Sequence, residues 1–487
     1  MKLSELVKPI NGARIQGDGN VEITGLEYDS RRIKPGMLFI AVEGYKTDGN
    51  RFISDAIKNG AMAVMSTKPF AGKIPVVIVP DLRQAMSDAA ANFYGFPGNT
   101  LEIAGVTGTN GKSTSVYLTR LILNAAGKET GLVNSLVYDT GKAKYKAERT
   151  TPDSVDMQRI LSEMLQAGCT HGVVEVSSHA LVLHRVDNID FKAGLFTNFS
   201  RDHLDFHDTM EKYLAAKKLF LEKLIGDGKY VVINMDVPGY AGFTADVRCR
   251  LLTYSVTRQD VDVFIKNIKL HPDHSEFTLV VKGEERRVIF RLPGRYNLSN
   301  ATGSAALGTA MGASPDHIVS GLEAAVAVPG RFQPVDAGQP FLVLIDYAHT
   351  PDAIERLCKS AREITPGKMM ILFGCGGDRD RGKRPLMGEA ASEFSDLAMI
   401  TSDNPRTEDP DRIIEDIKPG MIKDDYLVIP DRREAILEIL KMAKPGDTIL
   451  VAGKGAEDYQ EIGTTRYPFE DKVEISKALA KLGYKKG

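Results

Sequence analysis

The sequence predicts an α/β fold divided into three domains, and three observations support this prediction. Short apolar strands alternate with helical patterns, a glycine-rich loop joins a strand to a helix in the middle of the chain, and four late apolar runs each lead into a polar loop. These features predict a small N-terminal α/β domain, a central domain of the phosphate-loop ATPase type and a C-terminal, Rossmann-like doubly wound domain.

Composition excludes several classes of protein. A chain of 487 residues is long enough for two to four domains, and its 43% hydrophobic and 26% charged residues are typical of a globular protein rather than a disordered one. The 62 basic and 64 acidic residues give a net charge of −2, which argues against a globally basic nucleic-acid binder. We therefore expect small-molecule substrates and no nucleic-acid partner. The oligomeric state is not fixed by the sequence, and a monomer is the favoured expectation.

Cysteine spacing and hydropathy predict the cellular location. The four cysteines are far apart and form no C-x-x-C pair, which argues against a disulfide framework or a structural zinc site and favours a reducing cytoplasm. No apolar run reaches 18 residues, and the N-terminus lacks the apolar core of a signal peptide. The expectation is a cytoplasmic protein that does not insert into a membrane.

The N-terminal domain is predicted to span residues 1–98. Residues 37–42 and 61–65 are typical of buried strands, and residues 52–59 between them have a helical pattern. The turn-rich segment 94–99 marks the boundary.

The central domain is predicted to span residues 99–330. A strand at 101–106 precedes the glycine-rich loop, and a helix is expected at 115–126. Alternating apolar and polar residues at 261–291 predict an antiparallel excursion. Further strands are predicted at 172–176, 193–197 and 230–234.

The C-terminal domain is predicted to span residues 331–487. Its four strand-like runs are 341–345, 369–373, 397–401 and 448–451, and helical patterns separate them. In a doubly wound parallel sheet the ligands bind at the carboxyl ends of the strands, so the functional residues should follow each run.

The strongest single motif is the loop Gly108-Thr109-Asn110-Gly111-Lys112-Ser113-Thr114. Backbone N–H groups of such a loop cradle phosphates, Lys112 would neutralise them, and Ser113 or Thr114 would hold Mg²⁺. Only two residues separate Gly108 from Gly111, so the spacing departs from the standard phosphate loop. An ordinary turn before a helix is the other interpretation, but the strand–loop–helix context favours nucleotide binding.

Two side chains beyond this loop have both a functional and a structural interpretation, and two lysines have only a structural one. Glu175 ends a predicted strand, where a carboxylate can bind a metal or simply cap a turn. His203 lies in a polar loop after a strand and is either a metal or phosphate ligand or a structural histidine. Lys217 and Lys218, judged from the helical pattern alone, belong to a solvated helix face.

Polar residues also follow the later elements. Asn297 and Asn300 are three apart near a helix start, where they could read a nucleobase or cap the helix with equal plausibility. Asp346 ends a strand and is suited to ribose hydroxyls. Polar loops follow at 374–384, 403–406 and 453–458, and an arginine beside an acidic group, as in the first two, could bind the carboxylate and the ammonium of an amino acid.

Taken together, these motifs resemble the Mur ligase family of peptidoglycan synthesis, and the resemblance covers nearly the whole chain. The ordered series is far more specific than any of its members. It comprises Asp29-Ser30-Arg31, the phosphate loop, Thr150-Thr151-Pro152, Glu175 to His179, Asn198 to His207, Tyr213 to Phe220, Asn297, Pro329-Gly330-Arg331, Asp346 to His349 and the last three loops.

The resemblance implies an ATP-dependent, ADP-forming ligase that joins an amino acid to a UDP-muramoyl-dipeptide through an acyl phosphate. It assigns ATP to Gly108–Thr114, Asn297 and Asp346, and catalytic roles to Lys112, His203, Lys217 and Arg331. It assigns Mg²⁺ to Ser113, Glu175, His203 and Lys217, with Lys217 carbamylated to N6-carboxylysine, which reverses the solvated-face interpretation of this lysine. It assigns the UDP-muramoyl-dipeptide to Ser30 in a UDP-binding N-terminal domain and to Thr150, Thr151, Ser177 and Arg185.

Residues 403–406 resemble the family's signature for meso-diaminopimelate rather than L-lysine. The implied amino-acid site comprises Arg379, Asp403, Asn404, Pro405, Arg406, Gly453 and Glu457. The expected reaction adds meso-2,6-diaminopimelate to UDP-N-acetylmuramoyl-L-alanyl-D-glutamate. Two departures are visible: Ala456 stands where the family usually has histidine, and residues 133–136 lack the common G-T-x-G pattern.

Three other functions fit parts of the sequence. A sister ligase using L-lysine would differ mainly at residues 403–406. A ligase similar to folylpolyglutamate synthetase would share the central domain but lack the first one. A non-ligase NTPase would need the phosphate loop but neither residues 403–406 nor 150–152.

Overall fold

The computed structural model describes residues 1–44, 48–70, 72–239, 241–271 and 273–485. Its strands form three large sheets in successive parts of the chain and one small hairpin near the end. No helix in these described ranges is both long and apolar enough to cross a membrane.

The first sheet has five strands in the order β1-β5-β4-β3-β2, with β1 antiparallel and the others parallel. Its core includes Leu38, Ile40, Met65 and Val77, which are almost fully buried. The strands are β1 Arg14–Gln16, β2 Gly25–Glu27, β3 Met37–Ile40, β4 Ala63–Ser66 and β5 Val76–Ile78. The helices are α1 Leu3–Leu6, α2 Ile53–Lys58, α3 Leu82–Phe93 and α4 Pro97–Thr100, with 3₁₀ turns at Ser30–Arg32 and Gly49–Phe52.

The second sheet has eleven strands in the order β16-β15-β14-β13-β12-β11-β6-β10-β7-β8-β9. Strands β14 to β16 and β7 to β9 form antiparallel extensions at its two edges, and the strands between them are parallel. The strands are β6 Glu102–Thr107, β7 Thr130–Val133, β8 Val137–Asp139, β9 Lys144–Lys146, β10 His171–Glu175, β11 Phe191–Phe196, β12 Tyr230–Asn234, β13 Arg250–Ser255, β14 Val263–Leu270, β15 Ser275–Val281 and β16 Glu284–Phe290.

Helices cover the buried strands of this sheet, as a parallel sheet with two apolar faces requires. Helices α5, α11 and α12 pack on one face, and α9 packs against Phe191 and Phe196 on the other. The helices are α5 Lys112–Ala125, α6 Ser154–Gln166, α7 Ser178–Val182, α8 Leu204–His207, α9 Met210–Glu222, α10 Ala241–Thr244, α11 Arg295–Ala310 and α12 Pro315–Glu323.

The third sheet has six strands in the order β17-β18-β22-β19-β20-β21, all parallel except β17. The doubly wound prediction is confirmed. The strands are β17 Gln333–Pro334, β18 Leu342–Asp346, β19 Met369–Phe373, β20 Leu397–Ile400, β21 Leu427–Val428 and β22 Thr448–Ala452, followed by the hairpin of β23 Tyr459–Ile462 and β24 Thr465–Pro468. The helices are α13 Pro351–Arg362, α14 Lys383–Phe394, α15 Pro410–Ile417, α16 Arg432–Met442 and α17 Asp471–Lys481, with a 3₁₀ turn at Lys418–Gly420.

The predicted strands are present, with ends shifted by a few residues. The largest helix difference is at α5, which begins at Lys112 rather than residue 115, because Gly111 adopts a left-handed conformation and acts as its N-cap. Eleven strands of the described residues have no counterpart among the predictions, and ten of these are at most four residues long, which is too short for a clear apolar pattern; they are β1, β2, β5, β7, β8, β9, β17, β21, β23 and β24, and the longer β13 was missed as well. The boundaries at 98/99 and 330/331 stay predictions.

Candidate functional site

A cleft of about 220 Å³ lies where the carboxyl ends of the central and C-terminal sheets face each other. Two domains therefore contribute to one site. From the central domain it is lined by Thr109 to Thr114, Ser135, Thr150, Glu175, Asn198, Asp202, His203, Tyr296, Ser299 and Asn300, and from the C-terminal segment by Arg331, Asp346 to His349, Ala353, Arg356 and Leu357.

The phosphate loop turns sharply between β6 and α5 at two glycines. Gly108 and Gly111 have φ values of +141° and +85°, which side chains rarely adopt. A Cβ atom at Gly111 would also lie 2.3 Å from the Asn300 side-chain oxygen. The turn leaves the first N–H groups of α5 at the cleft, where an N-terminal helix dipole favours an anion.

Neighbouring side chains hold this loop from below. Asn198 accepts a hydrogen bond of 2.8 Å from the Asn110 backbone N–H and donates one of 2.9 Å to the Asn110 carbonyl oxygen. The Thr109 hydroxyl lies 3.1 Å from the hydroxyl of Tyr213 on α9 and accepts a hydrogen bond from the Ser200 backbone. The loop is thus fixed in shape by the protein itself, as a preorganised phosphate cradle requires.

Three oxygen-bearing side chains converge beneath the loop. The Ser113 hydroxyl donates to Glu175 Oε2 over 2.9 Å and lies 2.8 Å from the Ser135 hydroxyl. The Ser135 backbone N–H also donates to the same Glu175 oxygen over 3.0 Å. Hydroxyl and carboxylate oxygens are the ligands that Mg²⁺ prefers, so this cluster has the donor set of a magnesium site.

Lys112 reaches back over its own loop. Its ammonium donates to the Thr109 carbonyl oxygen over 2.8 Å and lies 3.9 Å from Glu175 Oε1. Burial lowers the pKa of Lys112, and the carboxylate of Glu175 opposes that shift. The lysine is positioned to bring positive charge to a phosphate held by the loop.

Lys217 is the site residue whose position differs most from the one that its helical pattern predicted. It lies on α9 with a side chain only 2% exposed, and its amine donates to the Gly108 carbonyl oxygen over 2.8 Å. Burial, together with the charge of Lys112, lowers the pKa of Lys217 well below its usual value. The solvated-face interpretation is therefore wrong for Lys217, whereas Lys218 does face outward and pairs with Asp246 over 2.7 Å.

A group of histidines lies beside these lysines. His203 has a left-handed backbone conformation, packs edge-on against His179 at 4.9 Å and lies 3.4 Å from Asp202. Desolvation lowers the pKa of His203 well below its usual value, and it lowers that of His349, which faces Asp202 from the C-terminal domain, to about 4. Neutral imidazoles of this kind can act as metal ligands.

The C-terminal segment contributes the carboxyl group of Asp346 and the guanidinium of Arg331 to the opposite wall of the cleft. Asp346 accepts a hydrogen bond of 2.8 Å from the Phe332 N–H and one of 3.3 Å from Tyr296, and burial raises the pKa of this carboxyl group. The Arg331 guanidinium stacks on Tyr347 at 4.4 Å and lies 3.5 Å from the Ser113 hydroxyl. Arg331 thus faces the phosphate loop across the cleft.

Asn297 and Asn300 have different surroundings. Asn297 is fully buried and donates to the Pro293 carbonyl oxygen over 2.9 Å, so its side chain holds the start of α11. Asn300 lines the cleft and donates to Asn297 over 3.3 Å. Of the two, only Asn300 reaches the cleft directly.

The residues expected to hold the muramoyl-dipeptide form a network at the end of β10. Thr151 donates to the Glu175 carbonyl oxygen over 2.6 Å and accepts from the Ser177 N–H over 3.1 Å. Arg185 donates to the Thr151 carbonyl oxygen over 2.9 Å, and Thr150 lines the cleft itself. Ser30 lies apart from this network in a 3₁₀ turn of the N-terminal domain, where its carbonyl oxygen accepts from Asn59.

The expected amino-acid site is a second polar cluster, on the C-terminal sheet. Asn404 donates to Glu457 Oε2 over 2.8 Å and accepts from the buried Lys454 ammonium over 3.0 Å. Burial raises the pKa of Glu457, and the neighbouring Asp403 adds to this effect. A Cβ atom at Gly453 would lie 2.5 Å from Asp403, which explains the glycine there.

Two arginines lie beside this cluster. Arg406 donates to the Gly377 carbonyl oxygen over 2.7 Å and lies 3.3 Å from Glu461, with a backbone φ of +49°. Arg379 is exposed and lies on the same loop as Gly377. Pro405 is buried, as are Asp403 and Asn404, so the side chains of residues 403–405 pack into the domain rather than into solvent.

Several site residues were missed from the sequence. Ser135 lies within the segment 133–136, whose departure from the family pattern gave no positive signal. Asp202 and His349 stand inside motifs that the sequence did identify, and their polar character next to His203 and Asp346 was the available signal. Lys454 and Asp352 act through contacts between distant segments, for which local patterns hold no signal.

Comparison with known proteins agrees with this geometry. Three family models match in order: the Mur ligase family catalytic domain at residues 22–94, the Mur ligase middle domain at 106–308 and the Mur ligase glutamate ligase domain at 330–455.

Relatives are similar over the full length. The protein named UDP-N-acetylmuramoyl-L-alanyl-D-glutamate--2,6-diaminopimelate ligase from Clostridium tetani is 40% identical over 99% of this chain and 100% of its own. The protein of the same name from Alkaliphilus metalliredigens is 42% identical over 99% and 98%. A solved structure of a ligase with that name superposes with a TM-score of 0.67 at 31% identity, covering 99% of both chains. The chain therefore belongs to the Mur ligase family of ATP-dependent, amide-forming ligases.

Proposed function

We propose that this ligase joins the amine of meso-2,6-diaminopimelate to the D-glutamyl carboxyl group of UDP-N-acetylmuramoyl-L-alanyl-D-glutamate, with hydrolysis of ATP to ADP. The observation that carries this proposal is the meeting of two different polar sites. One is the phosphate loop facing Arg331 and Asp346, and the other is the cluster of Asn404, Glu457 and Lys454. They adjoin because Gly455, next to Lys454, packs so closely on the cleft residue Tyr347 that a Cβ atom there would lie 2.9 Å from the Tyr347 side chain. The names of the full-length relatives support the choice of substrates.

ATP is the substrate of the phosphate-loop side of the cleft. The N–H groups of the loop and Lys112 would hold its phosphates, and Asp346 would accept hydrogen bonds from its ribose hydroxyls. Arg331, which faces Ser113 at 3.5 Å, would approach the transferred phosphate from the C-terminal side. Asn300, rather than the buried Asn297, would contact the nucleotide directly, with Asn297 orienting it.

The donor groups beneath the loop suit Mg²⁺. Ser113 and Glu175 would hold one ion, and His203 with a modified Lys217 a second. Bound Mg²⁺ supplies positive charge that stabilises the charge developing on the transferred phosphoryl group. The Ser113 hydroxyl oxygen already lies 2.9 Å from Glu175 Oε2 and 2.8 Å from the Ser135 hydroxyl oxygen.

Lys217 has the environment needed for carbamylation. A buried amine with a strongly lowered pKa is neutral, and a neutral amine is the form that adds CO₂. The carbamate would convert this buried amine, which now donates to the Gly108 carbonyl oxygen, into an oxygen ligand for a hard metal ion.

The acceptor substrate would extend from the cleft towards the N-terminal domain. Thr150, Thr151, Ser177 and Arg185 would contact the muramoyl-dipeptide, and their fixed network orients them for it. Ser30 in the first domain would contact the uridine diphosphate.

The amino-acid pocket provides both charges needed for diaminopimelate. Arg406 and Arg379 would bind the carboxylate that lysine lacks, and Glu457 with Asp403 and Gly453 would face an ammonium group. A pocket with cationic donors left unpaired should reject lysine strongly. Pro405 and Asn404 would shape its wall.

The expected reaction has two steps. The D-glutamyl carboxylate attacks the γ-phosphorus, the bond to ADP breaks, and an acyl phosphate forms while Lys112 and Arg331 stabilise the developing charge. The neutral amine of the amino acid then attacks the acyl carbon and displaces phosphate. Closure of the C-terminal domain over the central one would exclude water from the acyl phosphate.

We also propose a cytoplasmic location and a monomeric state for this ligase. All four cysteines are free, in keeping with a reducing compartment. We place the domain boundaries at 98/99 and 330/331, between the segments that carry the three sheets.

The decisive experiment is phosphate release by purified protein with ATP, Mg²⁺ and the UDP-muramoyl-dipeptide. We expect turnover with meso-diaminopimelate and strongly reduced turnover with L-lysine. Equal or faster turnover with L-lysine would assign the chain to the sister ligase. Turnover of ATP that depends on neither amino acid would refute the ligase reaction.

A further inference from the structure

The turn between β14 and β15 carries three metal-binding side chains that the proposed ligase reaction does not use. His271, His274 and Glu276 each present one ligand atom, and these atoms all lie within 4.8 Å of one another. The turn is closed by a hydrogen bond of 2.9 Å from the His271 N–H to the His274 carbonyl oxygen, which keeps both imidazoles on one side.

Both imidazoles point a nitrogen at the same carboxylate oxygen. Nε2 of His271 and Nε2 of His274 lie 3.9 and 3.7 Å from Glu276 Oε1, too far for hydrogen bonds. The His271 Nε2 atom is shielded from solvent and has no hydrogen-bond partner. Donor atoms around a tetrahedral zinc ion lie about 3.4 Å apart, given metal–ligand bonds near 2.1 Å, so the two imidazole–carboxylate distances would contract by a few tenths of an ångström on binding.

The surrounding groups prepare this donor set. Asp273 Oδ1 lies 2.8 Å from Nδ1 of His274, the pairing that fixes the tautomer of a ligating histidine and leaves Nε2 as the ligand. Arg287 binds the other carboxylate oxygen, Oε2, of Glu276 over 2.9 Å and so leaves Oε1 available. Lys269 lies opposite Glu276 in the ladder, and its charge, like that of Arg287, opposes a second cation, so the two imidazole ligands must outweigh this repulsion.

We propose that His271, His274 and Glu276 form a binding site for a divalent transition-metal ion of the zinc class, with water as a further ligand. Two imidazole nitrogens select such an ion over Mg²⁺ or Ca²⁺, which prefer all-oxygen sites. The two imidazoles are stacked at 4.2 Å and 7°, so binding of one ion by both requires the ring of His271 to rotate, and its partial exposure leaves room for that rotation.

The site's position gives the bound metal a structural role. Leu270, adjacent to His271, packs against the apolar core of the C-terminal domain. A metal that links the end of β14 to the start of β15 would stiffen the hairpin end that touches that domain. Because the metal would bind the folded hairpin only, it should stabilise the protein by an amount that rises with the logarithm of the metal concentration once that exceeds the dissociation constant.

The test is metal binding by the full chain, stripped with chelator and kept in millimolar Mg²⁺ to occupy magnesium sites. Zn²⁺ is titrated by calorimetry, and Co²⁺ by its visible absorption, which reports tetrahedral nitrogen ligation. We expect one zinc-class site per chain, at least about tenfold weaker in His271→Ala, His274→Ala and Glu276→Gln. Asp273→Asn should weaken it by about tenfold through the ligating histidine.

The matched control is His317→Ala, because His317 is exposed on α12 outside this cluster. It should bind as the unchanged chain does, and all variants should keep the Mg²⁺-dependent ligase turnover, so this test is independent of the ligase proposal. Absence of stoichiometric Zn²⁺ binding, or equal binding by the His271→Ala/His274→Ala double variant, would overturn the assignment.

Discussion

The side-chain amide of Asn110 donates a hydrogen bond of 3.0 Å to Asp352, across the interface between the central and C-terminal domains. The Ser200 hydroxyl donates to the same Asp352 oxygen over 2.9 Å, and Arg356 pairs with the other oxygen over 2.9 Å. Asp352 lies in the first turn of α13, so one carboxylate ties that helix to the phosphate loop.

Replacing Asp352 should therefore weaken domain closure rather than folding. Asp352→Ala removes two hydrogen bonds across the interface, and we expect kcat/KM for ATP to fall by about tenfold, equivalent to about 1.4 kcal/mol. Glu355→Ala is the control, because Glu355 lies on the same helix but pairs only with Lys359 on its surface over 2.6 Å. Steady-state kinetics on both variants measure the effect, and a wild-type value for Asp352→Ala would show that the contact does not contribute to closure.

The contrast between the phosphate loop and Asp352 shows what the sequence can predict. Gly108 to Ser113 could be identified because the strand, the loop and the helix are consecutive, and local backbone rules govern them. Asp352 contacts Asn110, which lies 242 positions earlier in the chain, and the residues next to Asp352 in sequence give no indication of that contact. The same limit applied to the pairing of Lys454 with Asn404, 50 positions apart.

The two lysines of α9 show a second limit. Lys217 and Lys218 have the same residue type and adjacent positions, and the helical pattern alone put both in solvent. Only the packing of α9 against the loop decides that Lys217 is buried and Lys218 exposed. The resemblance to a known family distinguished them because it compares whole proteins rather than helix faces.

Lys217→Ala should abolish most of the ligase activity. Without the carbamate the proposed second metal site lacks its oxygen ligand, and we expect kcat to fall by at least about hundredfold. Small carboxylic acids added to the assay should restore part of the activity, because they can enter the space and supply the missing oxygens. Such rescue would not occur if the lysine acted only through its packing.

Lys218→Ala is the matched control for this experiment. Its ammonium pairs with Asp246 at the surface, so turnover should stay within twofold of the original, as expected for an exposed ion pair worth at most about 1 kcal/mol. Unimpaired turnover in Lys217→Ala would refute the carbamate.

Arg406→Ala should alter the choice of amino acid. If Arg406 binds the carboxylate that lysine lacks, the KM for meso-diaminopimelate should rise by about tenfold to a hundredfold while the KM for ATP is unchanged. Turnover with L-lysine should change much less, so the ratio of kcat/KM values for the two amino acids reports the effect. A parallel loss with both amino acids would instead assign Arg406 a structural role through Gly377 and Glu461.

Arg412→Ala is the control for charge alone, since Arg412 is exposed on α15. It should leave both KM values unchanged. Arg406→Lys tests the need for a planar, two-pronged donor, and we expect it to recover only part of the affinity.

The stability of the C-terminal domain depends on the fully buried pair of Arg432 and Asp471. Two hydrogen bonds of 2.8 Å join the guanidinium on α16 to the carboxylate on α17, and a third of 2.9 Å joins it to the Ala452 carbonyl oxygen at the end of β22. Both side chains have no exposed surface. Asp471→Ala leaves the arginine charge buried and unpaired, and we expect a loss of about 3–5 kcal/mol in the free energy of unfolding.

Urea titration of the Asp471→Ala protein measures this loss, with Glu438→Ala as the control because Glu438 pairs with Lys441 at the surface of α16. The control should change the free energy of unfolding by less than about 0.5 kcal/mol. The double variant Arg432→Met/Asp471→Leu removes both charges and should recover most of the stability, since the cost lies in the unpaired charge rather than in the lost pair. A double variant as unstable as Asp471→Ala would instead mean that the bond from Arg432 to Ala452 dominates.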